Sequence, residues 1–230
     1  KSSIDCVLVN IAEDHIFSDF VSINHINKNS LSFLYDKESQ KSKLNESSTI
    51  ICSAKKANEL NAKQKTLIVK NVQKSVAVIS NIFFRDFTPD EISKFDKPKI
   101  GKDCYIGNNV TIENGVVIGN NVTIQHGTVI KNNCIIGNKS KIGTNSVISH
   151  SIIGENIYIG NNSSIGQRGF GFYINKDKNI NIYHTGKVIL QSGVSIGSGC
   201  NIDRGSFSDT IIGENTYLDN MCHVAHNVEI

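Results

Sequence analysis

Isoleucine recurs at every sixth residue from Ile100 to Ile148, and this period limits the possible folds more than any other feature of the sequence. A small or β-branched residue follows each of the first eight isoleucines by four positions, from Cys104 to Ser146. A period of six matches neither the 3.6-residue turn of a helix nor the simple alternation of a strand. It is typical of short strands joined by corners, three to a coil, with coils pairing about 4.8 Å apart. The sequence therefore predicts a parallel β-helix.

The same period continues to residue 230 with interruptions. It resumes at Ile153, Ile159 and Ile165, then at Leu190, Ile196 and Ile202, and finally at Ile212, Leu218, Val224 and Ile230. Residues 166–187 break the frame and mix lysines with Phe170, Phe172, Tyr173 and Tyr183. Insertions at solenoid corners often carry function. These aromatic residues are expected to form either an exposed contact surface or a cover over one face of the coil.

Before residue 100 the six-residue period is absent. Strand-like runs at 7–11, 31–35, 48–52 and 66–70 alternate with segments of helical character. In residues 71–83, Val72, Val76, Ile79 and Phe83 have helical spacing. The sequence predicts a small α/β domain over 1–88, a connector over 89–99 with prolines near its ends, and a β-helix over 100–230 with the insertion at 166–187.

Composition and charge exclude several classes of protein. The 24 basic and 21 acidic residues leave a net charge of +3, and no basic stripe of the kind that binds nucleic acid is visible. No run approaches the roughly 20 apolar residues that span a bilayer, and no secretion signal follows Lys1. A cytoplasmic protein without a transmembrane segment is expected.

The six cysteines form no CxxC pair, so free thiols are expected. Four of them occupy the small interior position of the repeat and should pack as compact apolar groups: Cys104, Cys134, Cys200 and Cys222. Metal ligands stacked on one face of the coil would recur at multiples of about 18 residues, three hexads to a coil. His126 and His150 do not have that spacing, and the sequence predicts no metal site.

Several strings resemble one enzyme family. They are GFGF at 169–172, IDRGSFSDTIIGENTYLDN at 202–220, VAHNVEI at 224–230 and, near the N-terminus, NSLSFLYDK at 29–37. Together they are similar to the UDP-3-O-acylglucosamine N-acyltransferases of lipid A, and hence lipopolysaccharide, biosynthesis. The resemblance implies a left-handed coil and a homotrimer with active sites between subunits.

The resemblance also implies a reaction. A 3-hydroxyacyl chain would move from the phosphopantetheine thioester of acyl carrier protein to the 2-amine of UDP-3-O-acylglucosamine, with no further cofactor. His226 matches the family's general base, and an imidazole can accept a proton near neutral pH. Asp219 and Asn220 would lie in the same pocket, and Phe170 and Phe172 would contact substrate.

In the N-terminal domain the family's uracil-binding pattern falls on Phe33, Asp36 and Ser39, with Tyr35 as a substitute for the missing second aromatic residue. The resemblance implies a cytoplasmic enzyme with a peripheral position at the inner membrane. Relatives continue beyond the position of Ile230 with further coils and a C-terminal helix. The chain is therefore expected to be truncated, with low or no activity on its own.

Hexapeptide repeats occur in proteins of several functions, so two alternatives stay open. One is an acyltransferase that acts on another nucleotide sugar and uses acyl carrier protein or coenzyme A. The other is a non-catalytic scaffold, which would require neither a histidine at a subunit boundary nor the N-terminal domain. Acyl transfer with and without His226 distinguishes them.

Overall fold

A computed structural model describes residues 4–12, 15–25, 27, 29–37 and 48–230 of the 230-residue chain. It consists of two compact units. One contains residues up to Arg85 together with Gly171–Tyr183, and the other contains Asp86–Phe170 and His184–Ile230. The predicted insertion is therefore divided between the two units, with its central part in the N-terminal one.

The N-terminal unit is a small α/β structure, as predicted. Its elements are β1 (Cys6–Val9), β2 (Asp19–Phe20), a 3-10 turn (Ile23–His25), β3 (Ser30–Phe33), β4 (Thr49–Cys52), α1 (Ala54–Ala57), β5 (Lys65–Val69) and α2 (Val72–Phe83). The sheet order is β1-β5-β4-β3-β2, with β1 antiparallel to β5 and the other pairs parallel.

Helix α2 begins where the sequence predicts. The side chain of Asn71 caps it by accepting a hydrogen bond from the Lys74 amide at 2.8 Å, which satisfies one of the free N–H groups of the first turn. Val72, Val76 and Ile79 are buried on one face. The helix therefore forms because its apolar spacing and its cap agree.

The connector contains a short helix, α3 (Pro89–Ser93). Thr88 and Glu91 form a reciprocal capping box, and Pro89 occupies the first turn, where its missing N–H costs nothing.

The second unit is a parallel β-helix of very short strands. In chain order these are β6 (Lys99–Ile100), β7 (Tyr105–Ile106), β8 (Thr111–Ile112), β9 (Val117–Ile118), β10 (Thr123–Ile124), β11 (Val129–Ile130), β12 (Ile135–Ile136), β13 (Lys141–Ile142), β14 (Val147–Ile148), β15 (Ser151–Ile153), β16 (Tyr158–Ile159) and β17 (Ser164–Arg168). After a hairpin of β18 (Phe172–Tyr173) and β19 (Ile180–Asn181) follow β20 (Val188–Leu190), β21 (Ser195–Ile196), β22 (Asn201–Arg204), β23 (Thr210–Ile212), β24 (Tyr217–Leu218) and β25 (His223–Val224).

Three six-stranded sheets form the walls of the coil. Their orders are β23-β20-β15-β12-β9-β6, β24-β21-β16-β13-β10-β7 and β25-β22-β17-β14-β11-β8. Within the unbroken frame each residue pairs with the one 18 positions away, as Ile124 does with Ile142. The repeated aliphatic residue of each hexad points inward, and from Ile118 to Ile212 nearly all are buried. The predicted fold class, a left-handed parallel β-helix of hexapeptide repeats after a small α/β domain, is confirmed.

Asparagine side chains bind successive coils together at the corners. The Oδ1 atom of Asn120 accepts the Lys102 amide at 2.8 Å, and Asn138 accepts the Asn120 amide at 2.7 Å. Other corner asparagines, such as Asn121 with φ of 57°, occupy the left-handed region that Asn tolerates better than most residues. The corners therefore explain why Asn is so frequent in this chain.

The central part of the insertion, residues 171–183, packs on α2 of its own unit. Asn81 donates its side-chain amide to the Asn181 carbonyl at 2.6 Å, and the Tyr183 amide donates to the Ser80 hydroxyl at 3.0 Å. Tyr183 also stacks on Phe84, with ring centroids 6.0 Å apart. The prediction offered a contact surface or a cover over the coil, whereas these residues cover part of the α/β unit.

All six cysteines are free. Cys134 and Cys200 are fully buried in the coil core, whereas Cys104 and Cys222 are partly exposed although they pack against it. For Cys104 the cause is that it lies in the first coil of the β-helix, which has a neighbouring coil on one side only. Among the described residues, no helix is long and apolar enough to cross a membrane.

Candidate active site

His226 lies at the corner that follows β25, and its orientation is set by the next residue. The ring Nδ1 atom is 2.8 Å from Oδ1 of Asn227. The ring itself is half-buried. Asn227 has φ of 64°, the left-handed conformation of a coil corner. Its backbone N–H donates to the buried Thr210 hydroxyl at 2.9 Å. The same corner therefore places both side chains.

The side-chain amide of Asn227 can adopt only one orientation in this network. Its Nδ2 atom is 3.0 Å from the carbonyl oxygen of Ser208, which can only accept. Its Oδ1 atom is 3.1 Å from the Ser206 amide, which can only donate, and 2.8 Å from the Ser206 hydroxyl. If the side-chain amide were flipped, its NH2 group would face the Ser206 N–H and its oxygen would face the Ser208 carbonyl, so donor would meet donor and acceptor would meet acceptor.

The fixed amide determines the tautomer of His226. Because Oδ1 of Asn227 accepts, the neutral ring must carry its proton on Nδ1. The Nε2 atom is left with a lone pair and makes no hydrogen bond among the described residues. The arrangement can therefore accept a proton at Nε2 without breaking the Nδ1 bond.

A second imidazole lies beside His226. The rings of His184 and His226 have centroids 5.0 Å apart and planes at 70°, an edge-to-face contact. His184 is only 2% exposed. Its Nδ1 atom accepts the Gly169 amide at 3.1 Å, so its proton lies on Nε2. The two rings therefore have opposite tautomers, each fixed by one neighbour.

His184 is held in the neutral form. Burial lowers its pKa to about 4, and the positive charges of His226, Arg168 and Arg204 act in the same direction. The backbone of Arg204 partly offsets these effects. A proton on Nδ1 would also face the Gly169 amide, which is itself a donor. The Nε2 atom of His184 is buried and, among the described residues, makes no hydrogen bond of good geometry.

Gly169 fits tightly between the two rings. A Cβ at this position would lie 2.8 Å from Cε1 of His184 and 2.9 Å from both Cβ and Cδ2 of His226. Distances below about 3 Å are not tolerated without movement, and here the neighbours are rigid rings. The first glycine of the GFGF string is therefore required for close approach.

Asp203 is a neighbour of the site that the residue-by-residue prediction did not include. Its Oδ2 atom is 3.6 Å from Nε2 of the exposed His223. Burial raises the pKa of this carboxyl group, and His223 and His226 act in the opposite direction. The sequence feature that could have identified Asp203 is the IDRG string at 202–205, in which it is the acidic residue.

Asp219 and Asn220 lie at the corner after β24, in a different sheet from β25. Asp219 accepts the Asn220 amide at 2.7 Å, and Asn220 accepts the Ser198 amide at 2.7 Å. Asn220 thus makes the same corner bond as Asn120. No hydrogen bond in the described part of the chain joins either side chain to His226, and their substrate role stays a prediction.

The predicted aromatic contacts are divided between the two units. Phe170 follows Gly169 in the β-helix unit and is 86% exposed. Phe172 lies in β18 of the α/β unit and is half-buried. A role for either residue in substrate binding stays a prediction.

The candidate uracil-binding residues lie at the end of β3. The ring of Phe33 is 5.3 Å from that of Tyr35 and 5.6 Å from that of Phe20, and a role for these residues in binding uracil stays a prediction. Asp36 accepts the Ser53 hydroxyl at 2.5 Å. The predicted position Ser39 lies outside the described residues.

Within the described ranges, no three histidine, cysteine, aspartate or glutamate side chains are arranged to hold a metal ion. His126 follows β10 and His150 follows β14, so the two belong to different sheets, as their spacing predicts. The site is thus built from imidazoles, an amide and a carboxyl group.

Comparison with known proteins gives partial matches. A family model described as the GMPPB C-terminal domain matches residues 94–183, which is less than half of the chain. UDP-3-O-acylglucosamine N-acyltransferase of Caulobacter vibrioides is 42% identical over 90 residues, covering 39% of this chain and 26% of the relative. The enzyme of the same name from Rhodopseudomonas palustris is 45% identical over 89 residues, covering 39% and 24%. The predicted resemblance is confirmed, and the matches span about a quarter of the length of these relatives.

Two solved structures match part of the chain. An Arabidopsis UDP-N-acetylglucosamine acyltransferase has a TM-score of 0.46 at 23% identity, covering 57% of this chain and 46% of that chain. AntD, an N-acyltransferase from Bacillus cereus in complex with dTDP and 3-hydroxybutyryl-CoA, has a TM-score of 0.30 at 21% identity, covering 62% and 80%.

Proposed function

We propose that the chain belongs to an N-acyltransferase that moves a 3-hydroxyacyl group from acyl carrier protein to the 2-amine of UDP-3-O-acylglucosamine. The names of the relatives support the substrate class. The observation that carries the proposal is the hydrogen-bonded chain from Ser206 and Ser208 through Asn227 to His226. It orients the imidazole and leaves its Nε2 atom without a hydrogen-bond partner in the part of the chain that the structure describes.

The proposed step requires one base. As the amine nitrogen forms a bond to the thioester carbonyl carbon, Nε2 of His226 takes a proton from that nitrogen. The tetrahedral intermediate then collapses, the C–S bond breaks, and the leaving thiolate takes the proton from the imidazolium. Throughout, Nδ1–H donates to Asn227, so the ring needs no reorientation between its two roles.

The proposed assembly is a homotrimer, and one feature of the coil supports association. The outer face of the sheet that contains β9 carries five aliphatic side chains stacked in register: Val117, Ile135, Ile152, Ile189 and Ile211. Val117 is 40% exposed and Ile135 is 43% exposed. A continuous aliphatic ladder of this kind favours burial against another subunit.

The α/β unit is proposed to bind the uracil ring. Phe33 supplies one aromatic face, and Tyr35 stands beside it. A carboxylate at position 36 can accept a hydrogen bond from an imide N–H such as that of uracil. This role separates recognition of the nucleotide from the chemistry at His226.

The experiment is acyl transfer from 3-hydroxyacyl carrier protein to UDP-3-O-acylglucosamine, measured with the chain and any residues that naturally flank it. His226→Ala should reduce turnover by at least about 10³-fold, because the reaction loses its base. His126→Asn is the matched control, since that histidine occupies a corner position where other coils carry Asn and its Nδ1 accepts the Asn108 amide. The control should retain turnover within about twofold.

Three outcomes would contradict the proposal. Turnover retained by His226→Ala would remove this residue from its role. Transfer only from coenzyme A or only to another nucleotide sugar would favour the rival acyltransferase, and absence of transfer to any of these acceptors would favour a scaffold.

A further inference from the structure

We propose that His184 is a positioning residue that, with Gly169, holds the ring of His226 against Asn227 so that Nε2 faces outward. The kinetic part of this role rests on the proposed function, whereas its structural part can be tested without substrate. His226 is contacted on one side by the Asn227 amide and on another by the edge-to-face ring of His184. Gly169 closes the space between the two rings.

Packing volume alone does not account for the choice of histidine here. The ring is 2% exposed, yet its Nε2–H donor has no hydrogen-bond partner among the described residues. An unsatisfied buried donor costs about 1–3 kcal/mol. A leucine or phenylalanine would fill a similar volume without that donor but would leave the Gly169 amide without its acceptor, so the imidazole is retained for what its Nδ1 atom does.

Two properties of His184 serve the neighbouring ring. Its Nδ1 atom accepts the Gly169 amide at 3.1 Å, which fixes the glycine backbone within contact distance of His226. Its neutral state also avoids a second fixed positive charge beside an imidazole that becomes cationic during turnover. The charged groups that act on His184 are His226, Arg168 and Arg204, all basic, and His226 also acts on the nearby carboxyl group of Asp203.

The test compares two substitutions. His184→Gln retains an acceptor for the Gly169 amide and a flat polar group beside His226, whereas His184→Ala removes both. In two-bond ¹⁵N–¹H correlation spectra, we expect the parent and the Gln variant to show His226 as the Nδ1–H tautomer with a slowly exchanging proton. In the Ala variant that proton should exchange faster, because the ring can move away from Asn227.

The kcat values of the parent and the two variants should follow the same ranking. His184→Ala should lower kcat by roughly 10-fold to 100-fold with little change in KM, since a displaced base costs about that much. His184→Gln should recover most of the loss. A merely structural residue would not show this recovery together with an unchanged KM.

The outcomes separate this inference from the proposed function. If the parent shows no acyl transfer but the Ala variant still loses its protected His226 proton, the proposed function fails and the positioning role stands. If the Ala variant keeps that proton and its kcat, the positioning role is wrong. Should the Ala variant fail to fold, Gly169→Ala tests the same contact from the other side, and an unchanged His226 signal there would equally overturn the inference.

Discussion

Acidification from pH 7.5 to pH 5 should destabilise the β-helix unit through His184. The pKa of His184 is lowered from an ordinary 6.5 to about 4, first by burial and then by the charges of His226, Arg168 and Arg204. Between these two values the unfolded chain binds more protons than the folded chain. Stability is therefore complete above about pH 6.5 and falls as the pH decreases toward 4.

The size of the effect follows from the two pKa values. Between pH 7.5 and pH 5, binding of a proton to the unfolded chain alone lowers the free energy of unfolding by about 2 kcal/mol, at 1.36 kcal/mol per pKa unit. His184→Gln removes this linkage while it keeps an acceptor for the Gly169 amide. The difference in unfolding free energy between parent and variant should therefore shift by about 2 kcal/mol in favour of the variant.

The assay is equilibrium unfolding in urea at pH 7.5, 6 and 5, followed by far-ultraviolet circular dichroism. Other groups titrate in the same range, among them His150, whose pKa is also lowered to about 4, first by burial and next by Arg204. These groups are present in both proteins, so their contributions cancel in the difference. Parallel pH dependences for the two proteins would refute the assigned neutral state of His184.

Four further outcomes are expected. Gly169→Ala should lower turnover at least about tenfold, because its Cβ would displace one of the two rings, and steady-state kinetics against the parent would show this. Asn227→Ala should lower kcat by a similar factor and free the neighbouring imidazole to take either tautomer, which imidazole nitrogen spectra report. Ile142→Ala should cost about 2–5 kcal/mol in urea unfolding, because a fully buried aliphatic group leaves a cavity. Cys134 should react with iodoacetamide far more slowly than the exposed Cys6, because burial raises the pKa of its thiol to about 11, and equal rates would contradict the assigned repeat register.

The fold could be predicted from the sequence because every coil repeats the same six-residue pattern. Ile124 and Ile142 occupy equivalent positions, so identifying one hexad identifies its neighbours along the stack. Helix α2 begins at Val72, directly after its Asn71 cap, as its spacing predicts. In both cases the residues that determine the structure lie close together in the sequence. The structure adds only which strands pair with each other.

The site could be predicted only where a motif marked it. His226 and Asn227 are adjacent in sequence, and the VAHNVEI string pointed to the histidine that we propose as the base. His184 could not be found in this way, because its contact with Gly169 spans 15 residues that include a hairpin belonging to the other unit. Asp203 is also distant in sequence from His226, and only the stacking of coils brings them together.

The 18-residue pairing interval of the unbroken coils has a consequence for how such a chain can change in length. An insertion or deletion of one full coil between Ile118 and Ile136 would leave every later side chain on its original wall. A change of a single hexad would turn all later residues, including the paired imidazoles, onto the adjacent wall relative to the first coils. Natural length variants of this scaffold should therefore differ in steps of three hexads.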